Sequence, residues 1–88
     1  MRDVAIIEGI RTPFGRAYKG TLRHTRPEDL GALVVREAVS RAGVSPESIE
    51  DVAIGCAMPE GSQGLNVARN IGFLAGLPHT VPAYTVNR

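Results

Sequence analysis

Hydrophobic and polar positions along this chain fall into blocks whose period changes, and the changes mark its elements. Val4-Ala5-Ile6-Ile7-Glu8-Gly9-Ile10 is a nearly continuous apolar run with several β-branched side chains. That pattern suits a strand covered on both faces. Glu8 interrupts it and is read as a partnered or solvated carboxylate. From Glu28 to about Ala42 the period becomes helical. Leu30, Leu33, Val34 and Ala38, flanked by Val35, Val39 and Ala42, make a wide apolar stripe. Asp29, Arg36, Glu37, Ser40 and Arg41 fill the other face, acids early and bases late, as the helix dipole prefers. Thr25 and Glu28 read as a capping box with Pro27 in the first turn, and Gly43 reads as the stop. Ser45-Pro46-Glu47-Ser48 predicts one capped turn. A second strand over Asp51–Cys56, a helix over Leu65–Ala75 ended by Gly76, and a third strand over Ala83–Val86 complete the pattern.

The order is therefore β, long loop, α, β, loop, α, β. A helix between two apolar strands makes a right-handed crossover between parallel strands the default. The predicted class is α/β, a mostly parallel sheet with helices on both faces. The third strand has no further helix behind it to cover its apolar residues. An isolated piece would leave one sheet face exposed, so these residues are expected to be the first part of a larger fold or to associate with its remainder as a separate chain.

Composition narrows the function classes. The sequence of 88 residues is 43% hydrophobic and 22% charged, with net charge +1, which is one small domain at most. That balance gives no reason to expect nucleic acid as a partner. No apolar run approaches the roughly 18 residues that span a bilayer, and Met1-Arg2-Asp3-Val4 lacks the build of a signal peptide. A cytoplasmic protein is expected. A single cysteine, Cys56, excludes an internal disulfide. His24 and His79 stand far apart without carboxylates near them, so metal binding has no support, and His79 is read as a turn residue.

Two loops carry candidate chemistry. Residues 11–26 hold five of the ten basic residues (Arg11, Arg16, Lys19, Arg23, Arg26) and no acidic one. They suggest an anion site, for instance for nucleotide phosphates, or a plain surface loop held down by Phe14, Tyr18 and Leu22. The plain reading is preferred, because no glycine-rich cradle opens a helix here. Residues 57–64, with Pro59, Gly61 and Gly64, link a strand to a helix and so share the sheet edge where Asn87 and Arg88 fall. In open α/β sheets ligands gather at that edge. Cys56 has apolar neighbours and no local base, so a packed, unreactive thiol is expected rather than a nucleophile.

Three segments, Ile10-Arg11-Thr12-Pro13-Phe14-Gly15, the Asn-x-Ala-Arg pattern at Asn66–Arg69, and Thr85-Val86-Asn87-Arg88, occur in an order that resembles the amino-terminal end of a thiolase. The resemblance covers essentially all of the sequence and implies the first βαβαβ part of a five-layer fold. It implies cleavage of a 3-oxoacyl-CoA by CoA, or the reverse condensation, through a cysteine acyl-enzyme. The family's nucleophilic cysteine, histidine and second cysteine would all lie beyond Arg88, so no catalytic residue is expected within these residues. Thr85, Val86, Asn87 and Arg88 would position the nucleophile-bearing turn. Asn66 and Arg69 are candidates for a polar pair tying helix to loop, and Met58 for an acyl-chain contact. Coenzyme A would be a substrate, no cofactor is implied, and the remainder of the thiolase chain and a homodimer or homotetramer would be the partners. Two alternatives stay open. One is a condensing enzyme of the ketoacyl-synthase type, against which Ile10–Gly15 argues. The other is a non-catalytic module that binds an anion or a protein through the basic loop.

Overall fold

The computed structural model describes residues 2–88. Its elements are helix α1 (Pro27–Ala42), strand β1 (Val52–Gly55), helix α2 (Val67–Leu74) and strand β2 (Ala83–Val86), with single 3-10 turns at Pro46–Ser48 and Gly61–Gln63. The strands pair in parallel, Val52 opposite Ala83 through Gly55 opposite Val86. The α/β class with parallel pairing is the one expected.

Helix α1 starts and stops on backbone chemistry. Pro27 occupies the first helical position and holds Arg26 extended (φ −73°, ψ 138°). The cap therefore falls on Arg26, with no side-chain cap, and the expected Thr25–Glu28 capping box does not form. Glu28 instead accepts from Arg26 Nε and is buried, with Oε2 left unpartnered. At the other end Gly43 takes φ +69° and returns its N–H to Val39 and Ser40. Helix α2 closes with a Schellman motif: Gly76 N–H donates to Phe73 O and Leu77 N–H to Gly72 O, with Gly76 at φ +81° and Leu77 buried. The expected turn forms over Pro46–Ser48 with Ser45 at the cap position, but the Ser45 hydroxyl donates to the Glu47 carboxylate and caps no backbone N–H.

The core lies on one face of the sheet. Val52 packs with Ala32, Ala75, Leu77 and Val81, and Ile54 with Cys56, Val67 and Ile71, while Val35 of α1 bridges the two groups. Both helices thus meet the Val52/Ile54 side. Ala53, Gly55, Tyr84 and Val86 alternate onto the other side and are exposed. Helices were expected on both faces, and the arrangement here is one-sided because α1 packs on α2. At Gly31 the two approach so closely that a Cβ would lie 2.5 Å from Ile71 Cδ1. The buried line of α1 runs through Glu28, Ala32, Val35 and Val39. Leu33 of the expected stripe is half exposed, and Leu30 and Val34 border a groove of about 480 Å³ along the free edge of β1.

The expected first strand does not form. Val4 and Ile6 are each 94% exposed, and Val4–Ile10 takes no part in the sheet. A strand is stabilised by its ladder and by cross-strand contacts. No neighbouring strand lies alongside this run, so its apolar composition alone does not make it one. Residues 17–25 form consecutive turns, with Tyr18 at φ +67° and both Phe14 and Tyr18 standing out in solvent. Leu22 alone of the three expected anchors is half-buried, tucked against Gly15.

Two outcomes follow from these termini. Gly43→Ala and Gly76→Ala each force a side chain into left-handed backbone and are expected to cost about 1 kcal/mol in denaturant unfolding, whereas Gly9→Ala stays within about 0.5 kcal/mol. The hydrogen bond from its own backbone N–H, then the Arg26 guanidinium, holds the Glu28 carboxyl below its ordinary value of 4.5. A lowered native pKa contributes stability that is present above that value and is lost as pH falls through the native one. Glu28→Gln should therefore flatten the acid side of a plot of unfolding midpoint against pH.

Candidate functional site

Strand β2 and the segment that leads into it are tied to α2 by polar bonds from three residues, Asn66, Arg69 and Thr85. Asn66 ends the loop before α2 and serves as its cap, accepting the N–H of Arg69 on Oδ1 at 3.4 Å. The same amide reaches across to the sheet: Nδ2 donates to Ala83 O at 3.0 Å, and Oδ1 accepts the Thr85 hydroxyl at 2.8 Å. Thr85 Oγ1 in turn accepts the Ala68 N–H at 3.2 Å. One donor that the helix start leaves unmet, the Ala68 N–H, is thus met by a strand.

Arg69 closes the other end of the junction. Its guanidinium donates through Nη2 to His79 O at 2.8 Å and through Nη1 to Val81 O, and lies 4.3 Å from the centroid of the Phe73 ring. The 78–82 connection is thereby fixed to α2 just before β2 begins. Asn66 and Arg69, expected as a polar pair tying helix to loop, bind two different parts of the chain that precedes the strand end. His79 contributes its carbonyl here and is a turn residue, as expected.

Beyond the last ladder bond, from Cys56 N–H to Val86 O at 2.9 Å, Asn87 and Arg88 are exposed. Among the described residues their side chains make no hydrogen bonds, so the structure aligns them with the Asn66–Thr85 junction without joining them to it. Cys56 is buried, and its thiol donates to Gln63 Oε1 at 3.6 Å. Met58 is 66% exposed and open to solvent, not lining an enclosed pocket. Leu65, just before the Asn66 cap, adopts φ +60° and is also exposed.

The basic loop does not build a cradle. Arg23 donates to Tyr18 O, Arg11 to Thr12 O, and Arg26 to Glu28. The N–H groups of Lys19, Gly20, Arg23 and Thr25 go to carbonyls of the same loop. An anion site needs several such donors aimed at one point, and here they are turned inward.

The model of the thiolase N-terminal domain family matches residues 4–88. Among curated proteins, the 3-ketoacyl-CoA thiolase of Bacillus subtilis is 59% identical over 88 residues, covering 100% of this chain and 22% of the relative. That of Saccharophagus degradans is 51% identical, covering 99% of this chain and 22% of the relative. That of Idiomarina loihiensis is 46% identical over 89 residues, covering 100% and 23%. The chain thus spans about a fifth of the length of the curated relatives it matches. No helix of the described residues is long and apolar enough to cross a membrane.

Replacing Arg69 tests the clamp. A lysine carries the charge but lacks the planar fork that sets Nη1 and Nη2 on separate carbonyls and lies over the Phe73 ring. Arg69→Lys is expected to lose about 1.5–3 kcal/mol of stability, read as a lower denaturant midpoint at unchanged slope.

Proposed function

Because the chain belongs to the thiolase family, we propose that residues 1–88 are the amino-terminal part of the N-terminal domain of a thiolase-type acyltransferase. Its substrates are a 3-oxoacyl-CoA and CoA, and its products acetyl-CoA and the shortened acyl-CoA, or the reverse in the condensing direction. The observation that carries the reading is the family match over residues 4–88, which covers nearly the whole sequence. The architecture of the strand end supports it, since β2 brings the chain to a braced edge with Asn87 and Arg88 leaving it. With the family match in hand, the ketoacyl-synthase alternative loses its support.

In this reading the nucleophile stands on residues that follow Arg88. A thiolate there adds to the C3 carbonyl, the C2–C3 bond breaks, and acetyl-CoA leaves as its enolate takes a proton from a second cysteine. The acyl group remains on sulfur as a thioester until the thiol of free CoA takes it. One difficult carbon–carbon cleavage becomes two easier steps. Donors aimed at the thioester oxygens stabilise the negative charge that develops in both.

The described residues supply the frame. Asn66 and Arg69 hold the strand, Asn87 and Arg88 position the turn that follows, and Met58 on the 57–65 loop is available as an acyl-chain contact. Cys56 is an unreactive packing residue. The apolar sheet face of Ala53, Gly55, Tyr84 and Val86 is covered by later parts of the same chain. We place the protein in the cytoplasm as a homodimer or homotetramer acting in fatty-acid β-oxidation, with no metal and no cofactor beyond its CoA substrates.

The test compares residues 1–88 with the complete chain in thiolysis of acetoacetyl-CoA by CoA. The complete chain should consume acetoacetyl-CoA and the 88-residue piece should not. Turnover by the piece would return Cys56 to consideration as nucleophile. An inactive complete chain would overturn the reading.

A further inference from the structure

We propose that Thr85 is a positioning residue for this reaction, acting through the double hydrogen bond of its hydroxyl to set where the strand end delivers the reacting segment. The inference rests on the thiolase reading above and adds a particular atom to it. Thr85 is the third residue of the four in β2, pairs with Ile54, and precedes Asn87 by two positions. Its side chain points to the helix side of the sheet, half-buried between strand and α2.

A hydroxyl offers one donor and two acceptor sites, and this one uses both kinds. It donates to Asn66 Oδ1 at 2.8 Å and accepts from Ala68 N–H at 3.2 Å. Asn66 is itself fixed, because its Nδ2 donates to Ala83 O at 3.0 Å on the same strand. The four groups form a closed ring that joins two strand residues to the first turn of one helix. Ladder bonds to β1 hold the strand on one edge, but they leave it free to shift relative to α2. The Thr85 hydroxyl and the Asn66 amide remove that freedom.

The consequence is kinetic. If the ring holds the reacting group in register, breaking it displaces that group by a fraction of an ångström without altering the CoA-binding surface. Loss of alignment then appears in kcat, whereas loss of substrate binding would appear in KM. Valine is the discriminating replacement, since it keeps the shape and the preference for strand while deleting the hydroxyl.

The experiment uses the complete chain and measures kcat and KM for acetoacetyl-CoA thiolysis. Thr85→Val should lower kcat at least about tenfold with KM within about twofold, and Thr85→Ser, which restores the hydroxyl, should recover kcat to within about threefold. Asn66→Ser, which keeps a capping oxygen for Arg69 but is too short to meet Thr85, should reproduce the Thr85→Val loss. The double variant should lose less than the product of the two single losses, because the Thr85–Asn66 bond is common to both. Asn66→Ser also decides the matter should Thr85→Val not fold. Wild-type kcat in folded Thr85→Val or in Asn66→Ser overturns the inference, as does a serine variant as slow as valine. A wild-type complete chain without thiolysis overturns the functional reading itself, and that result is told apart by the wild-type arm alone.

Discussion

The structure depends on one parallel strand pair and on what lies across it. Gly55 ends the first strand 28 positions before Ala83 begins the second, and α2 occupies the connection. Parallel strands need such a crossover, and its helix must bury an apolar face on the sheet it connects. Val67 and Ile71 do so against Cys56 and Ile54. Once α2 is seated, the unmet Ala68 N–H of its first turn points at β2, and Asn66 and Thr85 fill the space between. The hydrogen-bonded ring is thus a consequence of the packing, and it turns an apolar contact into a defined register between helix and strand.

The same packing leaves the molecule one-sided. Both helices lie on the Val52/Ile54 side, with no large side chain fully buried among the described residues. Tyr84 and Val86 on the opposite side are close to half exposed, and Val4, Ile6 and Phe14 are almost wholly so. Apolar side chains left exposed in this way suit a surface that meets other protein. That fits a segment matching about a fifth of its relatives' length. The bonds at Arg69 and Asn66 matter more in such a frame than in a thick core, because little apolar burial backs them.

Much of this was legible in the residues. The helix ends at Gly43 and Gly76 follow from left-handed backbone that glycine adopts without strain, and Pro27 and Pro46 mark first-turn positions in both places. The Asn66/Arg69 spacing pointed to a polar tie. Less legible were features that depend on distant partners. The Asn66–Thr85 bond joins residues 19 apart, and no local pattern pairs them. Thr25–Glu28 has the spacing of a capping box, yet Pro27 constrains its predecessor and moves the cap to Arg26. The α1 stripe of Leu30, Leu33, Val34 and Ala38 with its flanks Val35, Val39 and Ala42 is rotated, so that Ala32 and the flanking Val35 and Val39 meet the core and Leu33 does not, because Gly31 lets the helix approach Ile71 of α2.

The residues alone give the α/β class, the two helices with their stops, and the two strands that pair, since each follows from local propensity and period, while the family is carried by three motifs and not by any period. The tertiary structure decided which apolar residues are buried, whether Val4–Ile10 joins the sheet, and which side chain holds the strand end. Those outcomes turn on neighbours brought together by folding. A hydrogen-bond donor has no partner until the chain returns to it, and an apolar run is no strand without another beside it.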